Sequence, residues 1–217
     1  MLPTPITTAL SAARLDIGHR LGVDRQIPVG AAVLTAELRG AGAHFTLDSR
    51  VLQPCNPTDA LLAWLDRHLT RHGATISGYR LDDAAALLAR LPGAEWSPSI
   101  RAMTGCGKQY VLDLSAGIDN DRLTFQQACA QMRIFCAPAD PDPRFSAWVR
   151  SDVRDIEQDA QIHAIATFRL IIRRLASINP VGRSIAAVIS SHLAVWLEQA
   201  DHPAAQAHVA DLLSVAD

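Results

Sequence analysis

The chain carries no excess of basic charge: 20 Lys and Arg stand against 22 Asp and Glu, a formal net charge of -2. Attraction of the whole molecule to a phosphate backbone is thereby excluded, and any nucleic-acid contact has to come from a local patch. No uninterrupted apolar run reaches the roughly 20 residues that cross a bilayer, so no membrane partner is expected. The opening MLPTPITTALSAAR has no basic segment leading into an apolar one, which predicts no secretory signal. Cys55, Cys106, Cys129 and Cys136 are scattered and none forms C-x-x-C. They are expected to be free, mostly buried thiols in a reducing, cytoplasmic setting. The GCGK of 105–108 lacks the rest of a phosphate-binding loop, and Ser190-Ser191-His192 lacks the context of a nucleophile elbow. There is no internal repeat and no low-complexity tract.

What is present is apolar patterning. The 217 residues are 49% hydrophobic, enough for one sizeable core with an appendage. Residues 29–38 (VGAAVLTAEL) and 43–52 (AHFTLDSRVL), separated by RGAGA, predict a hairpin. The segment 12–18 reads as a first strand or as the end of a helix, because Ile6, Leu10, Ala13 and Ile17 keep helical spacing. A helix is predicted from Asp59 through 71, with Leu61, Leu62, Leu65 and Leu69 as its buried stripe. A short buried strand follows at 73–79, then a helical pattern led by Asp82-Asp83 and ended by Pro92-Gly93. Residues 109–115 predict a strand, 121–134 a helix and 137–143 a Pro/Asp-rich loop. Residues 152–175 predict one long helix, with Arg169, Arg173 and Arg174 off its apolar stripe. After the break at Asn179-Pro180, helices are predicted at 183–199 and 203–216. Leading strands followed by alternating helix and strand imply α/β with a mixed sheet.

The order of these elements, with the SGY of 77–79 and the pair of segments Glu157-Gln158-Asp159 and Thr167-Phe168-Arg169-Leu170, resembles the DEDD superfamily of 3′–5′ exonucleases. The closest likeness is to stand-alone relatives of the exonuclease domain of family-B DNA polymerases. The resemblance implies a ribonuclease H-like mixed sheet over residues 1–177, with 178–217 as a C-terminal helical extension. It also implies Mg²⁺- or Mn²⁺-dependent hydrolysis of single-stranded nucleic acid. In that chemistry clustered carboxylates hold two cations; one activates a water and the other steadies the leaving oxygen. Carried over by resemblance, Asp159 and Asp16 are metal ligands, and Asp82 or Asp83 supplies the acid of the second motif.

The chain departs from the family pattern at four places. Gly18 stands where the first motif has its Glu, and Arg80 where the second has its Asn. Asp155 and Arg154 occupy the places of the Tyr or His that positions the attacking water. A weak or inactive exonuclease-like domain is therefore expected, the alternative being a non-catalytic interaction or scaffolding module on the same fold. Arg80 is expected to pair with nearby carboxylates in place of a cation. Arg80, Arg101 and Lys108 are expected to form a basic rim for nucleic acid. Asp16 also reads as a surface charge and Asp82-Asp83 as a helix cap. His68 and His72, four apart on one helix, have the spacing of two zinc ligands but no H-E-x-x-H, and read better as a solvated face. His163 lies one turn beyond Asp159, on the flank of that helix. The two C-terminal helices carry enough apolar surface to pack on the body or on a second copy, giving a homodimer.

Overall fold

The computed structural model describes residues 5–18, 22, 25–40, 42–116, 123–138 and 141–214. Ala41 of the hairpin turn, 121–122 and 215–216 of two expected helices, and 139–140 of the Pro/Asp-rich loop lie outside the described residues. Three strands, β1 (Ile6–Asp16), β2 (Gln26–Arg39) and β3 (Gly42–Val51), form an antiparallel meander. Two short strands, β4 (Thr75–Gly78) and β5 (Tyr110–Asp113), add to it in parallel, giving the order β3-β2-β1-β4-β5. The chain is thus α/β with a five-stranded mixed sheet flanked by helices.

Alternation along the central strands divides the core in two. Leu10, Ala31 and Val33 point to one face, with Ile76 of β4, and meet α1 (Asp59–Leu69), α2 (Leu81–Leu88) and α3 (Pro98–Met103) through Leu61, Leu65, Leu81, Leu88 and Met103. Ala9, Ala32, Leu34 and Ala36 point to the other. There they meet α6 (Arg154–Ile178), α7 (Pro180–Gln199) and α8 (Pro203–Ser214). With both faces covered, β2 is buried at eight successive positions, 29–36, as expected of a strand sandwiched between helical layers. The same cause resolves the ambiguity at 12–18, which is strand throughout up to Asp16. In a strand apolar on both faces, a helical period is found by accident.

Two helices were not legible in the sequence: α3, opened by Pro98, and α5 (Pro141–Val149), opened by Pro141. Proline is tolerated in the first turn of a helix, where its missing N–H has no partner to lose. Among the described residues of the helix expected at 121–134, α4 covers Phe125–Gln131, started by a capping box between Thr124 and Gln127. Nor are the thiols mostly buried: Cys55 and Cys106 are exposed.

The C-terminal helices share the core of the sheet. Phe45 of β3 meets Phe168 of α6 edge-on at 5.6 Å and Trp196 of α7 at 5.8 Å. Ala186, Ile189, Leu193 and Leu197 form the inner face of α7, while Val181, Val188 and Val195 are exposed outside it. By length and composition alone α7 passes as a bilayer-spanning helix, although Arg183, Ser190, Ser191 and His192 interrupt its apolar run. Arg169, expected on a polar face, is buried and ion-paired with Asp211 of α8. It also donates to Nδ1 of His208 at 3.1 Å, while His208 Nε2 donates to the Ile162 carbonyl at 3.0 Å. Both ring nitrogens are thereby used in the neutral tautomer.

This network gives the fold a pH dependence of defined sign. Burial pushes His208 down to about 4 from an ordinary 6.5. Between those values the unfolded chain takes up the extra proton, so the neutral imidazole's contribution is complete above pH 6.5 and is lost as pH falls toward 4. The expected loss is up to about 3 kcal/mol. Thermal melts at pH 7.5 and 5 should show lower stability at pH 5, and His208→Gln should remove the larger part of that difference. His68, also pushed down by burial, adds in the same direction.

Candidate functional site

A cavity of about 310 Å³ opens at the C-terminal end of β4, where the sheet changes from antiparallel to parallel. Its floor is β1. Ala13 pairs with Gly30 but Arg14 pairs with Pro28, so Val29 is an extra residue on β2 and the ladder is bulged at that point. Proline has no N–H to give the ladder, and a bulge is where a strand tolerates it. The bulge breaks the alternation of β2 but not that of β1, and Leu10 through Arg14 of β1 all contribute to the lining. The walls come from the turn at Tyr79-Arg80, the start of α4, and α6.

The turn is built by β5. Asp113, at its end, accepts from the N–H groups of Arg80 at 3.1 Å and Leu81 at 2.8 Å, and from Ser115 N–H and Oγ at 2.8 Å each. It serves as the N-terminal cap of α2 from a neighbouring strand. Asp82 and Asp83, expected to cap that helix, lie inside its first turn, and the residue at the cap position is Arg80 with no side-chain cap of its own. Arg80 holds a left-handed conformation, φ 50°, uncommon for a residue with a Cβ. The short polar bonds to Asp113 fix it there.

Of the residues singled out from the sequence, Asp159, Asp83, Arg80 and His163 line this cleft. Asp16 and Asp82 do not. The Asp16 carboxylate accepts from Gly18 N–H at 3.0 Å in the turn that ends β1. The β1 positions that line the cleft with Asp159 are earlier, at Leu10 to Arg14, and none of them is acidic. Arg101 and Lys108 also lie elsewhere. Lys108 precedes Tyr110, which pairs with Thr75 at the start of β4, whereas the cleft opens beyond Gly78 at its other end. Glu157 turns away from the cleft and accepts from Ser49 Oγ at 2.7 Å. His68 is taken by Asp48 at 3.0 Å and stacks on Trp64 at 4.5 Å, while His72 is exposed.

The decisive partner is one the sequence did not point to. Arg144 of α5 forms an ion pair with Asp159, donating Nε at 3.0 Å and Nη2 to the same carboxylate oxygen. A second bond from Nη2 reaches the Pro138 carbonyl at 3.0 Å. At Asp159 the partner is thus Arg144, while Arg80 pairs, as expected, with a nearby carboxylate, that of Asp83, at 4.0 Å on an exposed edge. The only sequence signal was an Arg inside a Pro-rich stretch 15 residues before Asp159. Among the described residues no three His, Cys, Asp or Glu are grouped so as to hold a metal ion. The donor set of the cleft, two carboxylates each facing an arginine, does not fit a pair of magnesium ions.

Three guanidiniums (Arg14, Arg80 and Arg144) face the cleft against two carboxylates, so its balance is basic. Beside them runs an aromatic line: Tyr79 meets Phe125 at 5.6 Å and Phe125 meets His163 at 5.1 Å. The Tyr79 hydroxyl donates to the Leu123 carbonyl at 2.8 Å, which fixes the ring. No family model, curated protein or solved structure matches the chain.

Because four bonds converge on Asp113, Asp113→Ala should destabilise the protein by about 1–3 kcal/mol, the range for a lost cap and newly unpaired donors. Chemical denaturation of the variant against the parent measures this. A midpoint unchanged within error would show that the cap does not hold the Tyr79-Arg80 turn.

Proposed function

We propose that the chain is a ribonuclease H-like domain of DEDD exonuclease type that holds single-stranded nucleic acid in this cleft without hydrolysing it. The fold part of this reading is supported by the strand order β3-β2-β1-β4-β5, antiparallel then parallel, with the cleft beside the junction where β1 pairs with β4. The loss of hydrolysis rests on one observation, the ion pair of Arg144 with Asp159. Metal-dependent phosphodiester hydrolysis needs a cluster of free carboxylates whose negative charge holds the cations that generate the nucleophile. Here a guanidinium neutralises the carboxylate at that place, and none of the β1 residues that line the cleft is acidic.

What remains suits binding. Arg14 and Arg80 meet phosphate oxygens with planar, fixed donors. Tyr79 and Phe125 offer half-buried ring faces to bases, a contact indifferent to sequence. The overall charge of -2 confines the attraction to this patch, so the affinity should be modest and strongly salt-dependent.

Fluorescence anisotropy with a labelled single-stranded oligonucleotide tests the reading. Binding should weaken with salt, and Arg14→Glu should reduce affinity roughly five- to tenfold with a shallower salt slope. Asp159→Asn removes a negative charge from the cleft and releases Arg144, so it should tighten binding severalfold. In a parallel gel assay with Mg²⁺ or Mn²⁺, neither the parent nor Asp159→Asn should shorten the oligonucleotide. Stepwise shortening by the parent, abolished in Asp159→Asn, would establish an intact exonuclease and sink the non-catalytic reading. Absence of binding at low salt would remove nucleic acid as the ligand.

A further inference from the structure

Behind the aromatic wall of the cleft two thiols are brought together by the way α4 ends. Arg133 adopts φ 51°, its N–H donates to the Ala130 carbonyl at 3.1 Å, and Ile134 N–H donates to the Cys129 carbonyl at 2.9 Å. This is the reversal that usually employs glycine. It folds the following residues back over the last turn, so that Cys136 packs on the small apolar cluster that contains Cys129, Ile134, Ala166 and Leu170. The two thiols thus share one small cluster, and the Cys136 S–H donates to the Ala137 carbonyl at 3.6 Å. His163 Nε2 donates to the Ala137 carbonyl at 3.1 Å, which holds the ring beside Cys136.

We propose that Cys129 and Cys136 are a redox-active pair, with Cys136 as the thiol that meets a peroxide and Cys129 as the thiol that resolves it into a disulfide. The assignment of roles follows from burial: Cys129 is fully enclosed, whereas Cys136 is half-buried. The electrostatics agree. The neighbouring Cys129 thiol and His163 hold Cys136 below the ordinary thiol range, against the effect of burial. The neighbouring Cys136 thiol, together with burial, pushes Cys129 up. A thiolate is the reactive form toward peroxide, and the buried neutral thiol beside it supplies the second sulfur.

The Cys136 thiolate attacks one peroxide oxygen. The O–O bond breaks, hydroxide leaves, and Cys136 becomes a sulfenic acid. The Cys129 sulfur then attacks that of Cys136; the S–O bond breaks, and the Cys129 proton leaves with the hydroxide as water. In sum two thiols and hydrogen peroxide give one disulfide and two waters, the peroxide being reduced. The product removes the thiolate that faces His163, a cleft residue, so the redox state is read at the back of the cleft. The ring closed by residues 129 and 136 is short, and so constrains the unfolded chain less than a long one would; a reversible modification suits it better than a structural bond.

The intact protein is titrated with hydrogen peroxide and mapped by mass spectrometry without reduction. The exposed Cys55 and Cys106 serve as internal controls. A Cys129–Cys136 cross-linked peptide should appear first and be reversed by a thiol reductant. In Cys129→Ser, a dimedone adduct should accumulate on Cys136. Oxidation confined to Cys55 and Cys106 in the parent protein, with 129 and 136 unmodified, would overturn the proposal whether or not the serine variant folds. A cross-link of Cys136 to Cys55 or Cys106 instead of Cys129 would overturn the pairing.

Discussion

The burial of α6 between the antiparallel half of the sheet and the two C-terminal helices is the constraint on which the rest of the structure depends. At a rise of 1.5 Å per residue its 25 residues reach about 37 Å. One helix therefore carries both the cleft wall, at Asp159 and His163, and the anchors of α8, at Ile162 and Arg169. Ile156, Ala160 and Ile165 fix its rotation against the sheet, and that rotation puts Asp159 and His163 on the cleft side. Arg169, further along, faces Asp211 and His208. A change in how α6 seats on β1 and β2 moves all of these together.

The pairing of Arg144 with Asp159 follows from that rigidity as much as from charge. An exposed ion pair contributes little, because solvent screens it and long side chains lose freedom in making it. Here α5 is already held by Trp148 Nε1, which donates to the Leu52 carbonyl at 2.7 Å, and α6 is held by the core. Two fixed elements present the guanidinium and the carboxylate, so little freedom is lost in their meeting. Both side chains are largely screened from water, at 18% and 25% exposure. The carboxylate is thereby committed to a partner within the protein.

The architecture was largely legible in the sequence because burial leaves period and run length behind it. The hairpin, the strand at 73–79 and the long helix all follow from apolar patterning, and their bounds shift by only a few residues. Asp159 was legible through its place in a motif. Its partner was not: Arg144 comes from a short proline-opened helix whose apolar pattern is weak. Asp16 failed for a different reason. In chain order it is the acid of the first strand, but which part of a strand faces a cleft depends on where β4 joins β1 and where the ladder is bulged. Neither is written in a period of two. Arg169 failed because a charge on a helix is read as solvated unless its counterion, here 42 residues on in Asp211, is already known.

The covering of β1–β3 by α6–α8 also dictates an order of events during synthesis. The meander is complete by Val51, and its strands pair with near neighbours, which is fast. One face can be covered soon afterwards by α1 and α2. The other, with Ala9, Ala32, Leu34 and Phe45, has no partner until residues from 156 onward have left the ribosome. At the usual ~5–20 residues per second the interval lasts from several seconds to about twenty. Through it, a nascent chain carries a flat apolar surface that invites association with anything similar. Helices α6–α8 close the interval, so that segments made late complete the protection of segments made early.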